Sequence, residues 1–270
     1  MDNAKGSETR PAKPVPSLVL ATQLVEQAAR LSEGRWVLAL YRDACEASGS
    51  FRPSIPWSAG GGRRGESEDP ERSRAEAARR AGTRLRRYGV ANRLDRLGTL
   101  TYRGEGVFEH GQLRGDLARF FRNLRELVGQ SFPYAWVPEW HPGGHGLHAH
   151  FSLGRFVKVS LIEEAWGCGI VHIKRLGNLP ASQGAVGDAR AAARYLAKYV
   201  RKGMDERRDF GGHRFDVAQG YQPRAERIVG RSDAEVVEEA AARMGGWPSY
   251  LWCSREAEEW FGPFAVFCSW

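Results

Sequence analysis

The stretch Trp136-Val-Pro-Glu-Trp-His-Pro-Gly-Gly-His-Gly-Leu-His-Ala-His-Phe151 decides how this chain is read. Runs suited to β-strands flank Pro142-Gly-Gly144, so the pattern predicts a hairpin with strands over 134–141 and 147–153. Side chains alternate along a strand, which puts His148 and His150 on one face and Ala149 on the other. Glu139 and His141 share a face of the partner strand for the same reason. Two imidazoles at that spacing can share one divalent cation, with Glu139 or His141 as a third ligand. Imidazole plus carboxylate, with positions left for water or a phosphate oxygen, suits Mn²⁺ or Mg²⁺. A His-x-His triplet arises easily by chance among seven histidines, so the four-residue constellation across a turn is the stronger signal. His145 falls in the loop, and His172 on a strand near the site or in the core.

A second constellation follows in Tyr195-Leu-Ala-Lys-Tyr-Val-Arg-Lys202. Tyr195 and Tyr199 are four residues apart and share a helical face, with Lys198 and Lys202 as a second such pair beside them. Only six lysines occur in the chain, so their placement here is informative. A phenol attacks well only as phenolate or when its target is strongly polarised. Neighbouring lysines can assist ionisation and hold phosphate charge. A metal hairpin together with paired tyrosines describes transesterification at a phosphodiester, in which a tyrosine displaces a 3′-hydroxyl and becomes linked to the 5′-phosphate.

Working outward, Arg96–Tyr102 is short, β-branched and alternating, and predicts a strand. Residues 113–128 place Leu113, Leu117, Phe120, Phe121 and Leu124 on one face and arginines on the other, an amphipathic helix packed on a sheet. Ser160-Leu-Ile-Glu163 reads as a capping box opening a helix that Gly167 can end. A strand is expected at 169–176, a helix from an Asp188 N-cap to about Lys202, and a short strand at 214–218. This order predicts an α+β fold, an antiparallel sheet with helices mainly on one face.

The flanks are expected to be helical extensions. Residues 1–16 read as a disordered tail, and 17–90 as a basic helical region with helices over 18–47 and a mobile loop at 58–69. Residues 91–220 form the catalytic domain, and 221–270 a helical and aromatic extension, with a helix opened by Ser232-Asp-Ala-Glu235. The aromatic residues of 247–270 are read as packing over the core. The helix at 71–88 carries Arg79, Arg80, Arg84, Arg86 and Arg87, a candidate DNA-binding surface or a solvated charged face.

Net charge is +8 with a pI near 9.6, which points to a polyanionic partner. No apolar run is long enough to span a membrane and the N-terminus lacks a signal-peptide core, so a cytoplasmic protein without a membrane partner is expected. Cys45, Cys168, Cys253 and Cys268 are scattered, with no zinc-knuckle spacing.

In the order Leu97-Gly-Thr-Leu-Thr101, His148-Ala-His150 and Tyr195-Leu-Ala-Lys-Tyr199, residues 96–202 resemble the HUH endonucleases, and among them the two-tyrosine rolling-circle replication initiators of phages and plasmids. The resemblance implies a ferredoxin-like, RRM-like sheet with the histidines on a central strand and the tyrosines on a helix facing them. It also implies a divalent metal and nicking of single-stranded DNA at an origin, with a third ligand from the strand before the histidines. Ala149 is smaller than the bulky residue usual between the histidines. No Gly-x₄-Gly-Lys-Ser/Thr occurs, so a separate helicase and the host replication machinery are expected as partners. A transposase or mobilisation relaxase of the same superfamily, and a non-catalytic basic DNA-binding protein with a structural metal hairpin, are the competing readings.

Overall fold

The computed structural model describes residues 33–54, 69–174, 184–202, 215–257, 260 and 263–270, without the side chains of residues 184, 185, 201 and 202. The tail at 1–16, the helix expected at 18–32 and the loop at 58–68 therefore lie outside the described residues.

Two five-stranded antiparallel sheets form the molecule, an α+β architecture. The central sheet has the order β6-β3-β5-β4-β7, from β3 (Arg96–Tyr102), β4 (Tyr134–Trp140), β5 (Leu147–Leu153), β6 (Gly169–Lys174) and β7 (Asp216–Val217). One face of it presents Leu100, Trp136, Ala149, Phe151 and Leu153 to α2 (His110–Val128) and α3 (Val159–Trp166), whose Leu117, Phe120, Phe121, Ile162 and Trp166 fill the layer. These apolar positions recur at spacing two on the strands and at three or four on α2, so one pattern locks into the other.

The opposite face is also covered, where the sequence predicted helices mainly on one side. There α1 (Pro70–Ala91) and α4 (Gly184–Lys202) bring Leu85, Tyr88, Ala192, Leu196 and Val200 onto Leu97, Ala135 and Val137. Gly89 allows the two helices to approach closely, since a Cβ there would sit 3.1 Å from that of Ala193. This second layer stops short of the hairpin end of the sheet, and the polar cluster described below occupies the remaining space.

The second sheet has the order β8-β1-β2-β10-β9, from β1 (Gly34–Tyr41), β2 (Glu46–Pro53), β8 (Glu226–Gly230), β9 (Tyr250–Cys253) and β10 (Ala265–Ser269). It corrects the helical reading of the flanks: residues 34–47 are strand-forming, and the C-terminal region contributes three strands and one helix, α5 (Asp233–Met244). The cause is legible in β1. Trp36, Leu38 and Leu40 are buried at every second position, but Val37 and Ala39 between them are apolar too, so the run lacks the polar alternation that marks a strand. The core of this sheet is Trp36, Leu38, Leu40, Ala47, Ile228, Val266 and Cys268 against Val236, Val237 and Ala240 of α5.

Not every predicted cap forms. Ser232 caps α5 by accepting from the Glu235 amide at 3.1 Å. Ser160 does not cap α3, which starts one residue earlier after Lys158 with no side-chain cap, whereas Gly167 ends it in the left-handed region. Helix α4 begins at Gly184, so Asp188 lies within it rather than at its N-cap.

Candidate active site

Register places the metal-ligand side chains. In the β4–β5 hairpin Glu139 lies directly opposite His148, and Val137 opposite His150. The turn between them closes through His141 N–H to the Gly146 carbonyl at 2.8 Å, with Gly144 and Gly146 at positive φ. A Cβ on Gly146 would meet the Val107 carbonyl oxygen at 2.3 Å, so glycine there is needed for both conformation and space.

Glu139, His148 and His150 converge on one point. The two Nε2 atoms are 3.1 Å apart, and Glu139 Oε2 lies 3.0 Å from that of His148 and 2.7 Å from that of His150. Both histidines are almost fully buried. Burial pushes the His150 pKa down to about 4, with the charges of His148 and Lys174 acting in the same direction and the Glu139 carboxylate opposing them. A neutral imidazole keeps its Nε2 lone pair available. The proton then sits on Nδ1, where Thr99 Oγ1 lies 3.0 Å away. A set of two nitrogens and one carboxylate oxygen, with separations near 3 Å, can hold a divalent ion at bond lengths of about 2.1 Å. The donor set therefore fits a metal. His141 stands outside this triad: its Nδ1 accepts from the Gly143 amide at 3.0 Å, and its ring packs edge-on against His148.

Helix α4 lays both tyrosines on the triad. The Tyr199 ring stacks on the His150 imidazole, with centroids 3.7 Å apart and planes 20° from parallel, and its hydroxyl donates to the Tyr195 oxygen at 2.6 Å. Burial, then the hydrogen bond and the charge at Tyr195, then the Glu139 charge, raise the Tyr199 pKa well above that of a free phenol. Tyr195 borders a cleft of about 340 Å³ lined by Gly98, Thr99, His172 and Lys174. The Lys174 ammonium sits 3.8 Å from the Tyr195 ring centroid.

Tyr195, Tyr199, Glu139, His148 and His150 thus come together from segments far apart in the chain. Lys198 does not join them and is exposed on the outer side of α4; the Lys202 side chain lies outside the described residues. The cation beside the phenols is instead Lys174, with His172 two residues before it on the same face of β6. Sequence reasoning missed both Lys174 and Thr99, although strand alternation placed Lys174 on the face of His172 and Thr99 lay in the first of the three motifs.

The arginines of α1 divide. Arg79, Arg80 and Arg84 are exposed, Arg80 close to Glu76. Arg86 and Arg87 instead hold the buried Glu46 of β2 at 2.9 and 2.6 Å, and Arg87 also covers the Tyr41 ring. These two join α1 to the second sheet and are not free for phosphate. The sequence could not show this, because Glu46 is forty residues upstream in a run read as helix.

Residues 95–204 match the family model of the replication-associated protein ORF2. The match takes in the triad and both tyrosines and covers less than half of the chain. No curated protein and no solved structure matches. The matched segment is therefore similar to a replication-associated protein. Among the described residues, no helix is long and apolar enough to cross a membrane.

Proposed function

We propose that this chain is a metal-dependent nickase and strand transferase of single-stranded DNA that initiates rolling-circle replication through a 5′-phosphotyrosine. The observation that carries the reading is the contact of the Tyr199 ring with His150 while its hydroxyl bonds to that of Tyr195. Two phenols and a ligand triad are within reach of one phosphate. Replication is favoured over other strand-transfer settings by the family match.

Glu139, His148 and His150 would hold the ion, which supplies Lewis-acid polarisation of the scissile phosphate. Tyr195 is the nucleophile of the first cleavage in this reading. Its oxygen already accepts from Tyr199, and Lys174 lies over its ring, so negative charge that develops on it is met by a donor and a cation. Tyr199, held protonated, serves first as that donor. The Tyr195 oxygen bonds to phosphorus as the P–O3′ bond breaks, and the phenolic proton passes, by way of solvent, to the released 3′-oxygen. The phosphodiester energy is kept in the new ester, and the free 3′-hydroxyl can prime synthesis. Tyr199 then attacks at a second phosphate while the first product stays attached. Unwinding and elongation fall to a separate helicase and polymerase.

Incubation of the full chain with end-labelled single-stranded oligonucleotides and Mn²⁺, followed by a denaturing gel, should reveal a protein-DNA adduct. Adduct that persists in the Tyr195→Phe, Tyr199→Phe double variant would defeat the assignment. Tyr195→Phe alone should lower first-cleavage adduct far more than Tyr199→Phe.

A further inference from the structure

We infer that the open face of the second sheet is a stacking platform for single-stranded DNA. Alternation and register define that face. Trp36, Leu38 and Leu40 point to α5, so Arg35, Val37, Ala39 and Tyr41 point the other way. Their cross-strand partners are Arg52, Ser50, Ser48 and Glu46 of β2. On β10 the same face carries Ala265 and Phe267, and on β9 it carries Trp252, opposite Phe267, and Tyr250. On β8 it carries Arg227, opposite Ala39, and Val229, opposite Val37.

The result is a flat floor of Ser48, Ser50, Ala39 and Ala265 with aromatic rings along one edge and cations around it. Tyr250 is 55% exposed, and Arg35, Arg52 and Arg227 are exposed as well. Tyr250 lies 6.3 Å from Phe267, and the Arg86 guanidinium is 5.3 Å from the Phe267 ring. The acid on this face, Glu46, is buried and held by Arg86 and Arg87, so the accessible charge is positive. A core-building sheet would hide rings of this size under a helix. Rings that accept any base face, beside cations that track a phosphate backbone, are the chemistry of sequence-tolerant single-strand binding. Helix α1 meets the face only at its Glu46 end, and the N-terminal part of α4 is tied to the same sheet by Arg190, which donates to the carbonyls of Cys45 and Trp270. DNA on this face would therefore continue toward the helix that carries the two tyrosines. The choice of DNA rests on the nicking reading; the platform does not.

The test is fluorescence anisotropy with a labelled oligo-dT of about twenty nucleotides in EDTA, using the full chain with Tyr195→Phe and Tyr199→Phe so that no covalent product forms. Tyr250→Ala and Trp252→Ala should each weaken binding about tenfold, and Trp252→Phe should restore most of it. Leu251→Ala, on the same strand but the opposite face, should leave affinity as it was. Arg35→Gln with Arg52→Gln should weaken binding and flatten its dependence on salt. Circular dichroism and melting curves check that each variant folds. Unchanged affinity in the Tyr250 and Trp252 variants, an equal loss in Leu251→Ala, or tighter binding of oligo-U RNA than oligo-dT would overturn the proposal. Because binding is read without cleavage, an absent adduct in the nicking assay leaves this result unaffected, and failure of the platform leaves the adduct assay unaffected.

Discussion

In the central sheet both faces carry helices and the chain gives up part of one face to a buried Glu139-His148-His150 cluster; in the second sheet one face is packed by α5 and the other is left to Tyr250, Trp252 and arginines. Their strand counts and antiparallel pairing are the same. What differs is where polar groups are placed relative to water. Buried imidazoles and a carboxylate need fixed partners, which the hairpin register, Thr99 and the tyrosine helix provide. Exposed arginines need none, and they suit a surface that meets many sequences. Rigid burial serves one reacting phosphate, and an open charged face serves a long strand.

Substitutions should separate these roles. The largest expected effect is His148→Ala: adduct formation should fall at least about a thousandfold. Its melting temperature should stay close to the parent value, since the change removes a buried polar group rather than core packing. A variant that unfolds instead would make the triad a structural element and erase the contrast. Next, Leu38→Ala in the second sheet should cost about 2–5 kcal/mol in chemical denaturation, because Leu38 is fully buried against α5. Glu46→Ala should cost about 3 kcal/mol, since it strips the shared carboxylate from two partly buried arginines that join α1 to β2.

A smaller effect concerns pH. His150 has its folded pKa lowered from 6.5 to about 4, so the folded state binds fewer protons than the unfolded one. That contribution to stability is fully present above about pH 6.5 and is lost as pH falls toward 4, amounting to at most about 3 kcal/mol. Denaturation of metal-free protein across this window should show the slope, and His150→Phe should flatten it. Smallest of all, Thr99→Val removes the Nδ1 partner of His150 and should weaken Mn²⁺ binding roughly tenfold by calorimetry, with cleavage restored at higher metal concentration.

Much of the central sheet is legible in the sequence because its signals are local. Strand β3 at 96–102, the hairpin pairing and the amphipathic α2 each rest on a periodicity contained within one segment. The Tyr195 and Tyr199 pair is legible for the same reason, both residues lying on one helical face. The second sheet is not legible in this way, because it joins strands near residues 34–53 to strands beyond residue 226, and its β1 run is apolar on both faces.

The sequence by itself determined which side chains share a face: His148 with His150, Glu139 with His141, and Tyr195 with Tyr199. Local backbone geometry fixes such relations wherever the segment folds. Tertiary structure alone decided that Glu139 rather than His141 closes the triad, that Lys174 rather than Lys198 stands beside a phenol, and that Arg86 and Arg87 face Glu46. Each of those choices depends on the register between strands and on how a helix rotates over a sheet, and both are set by packing between segments that carry no record of one another in their own spacing.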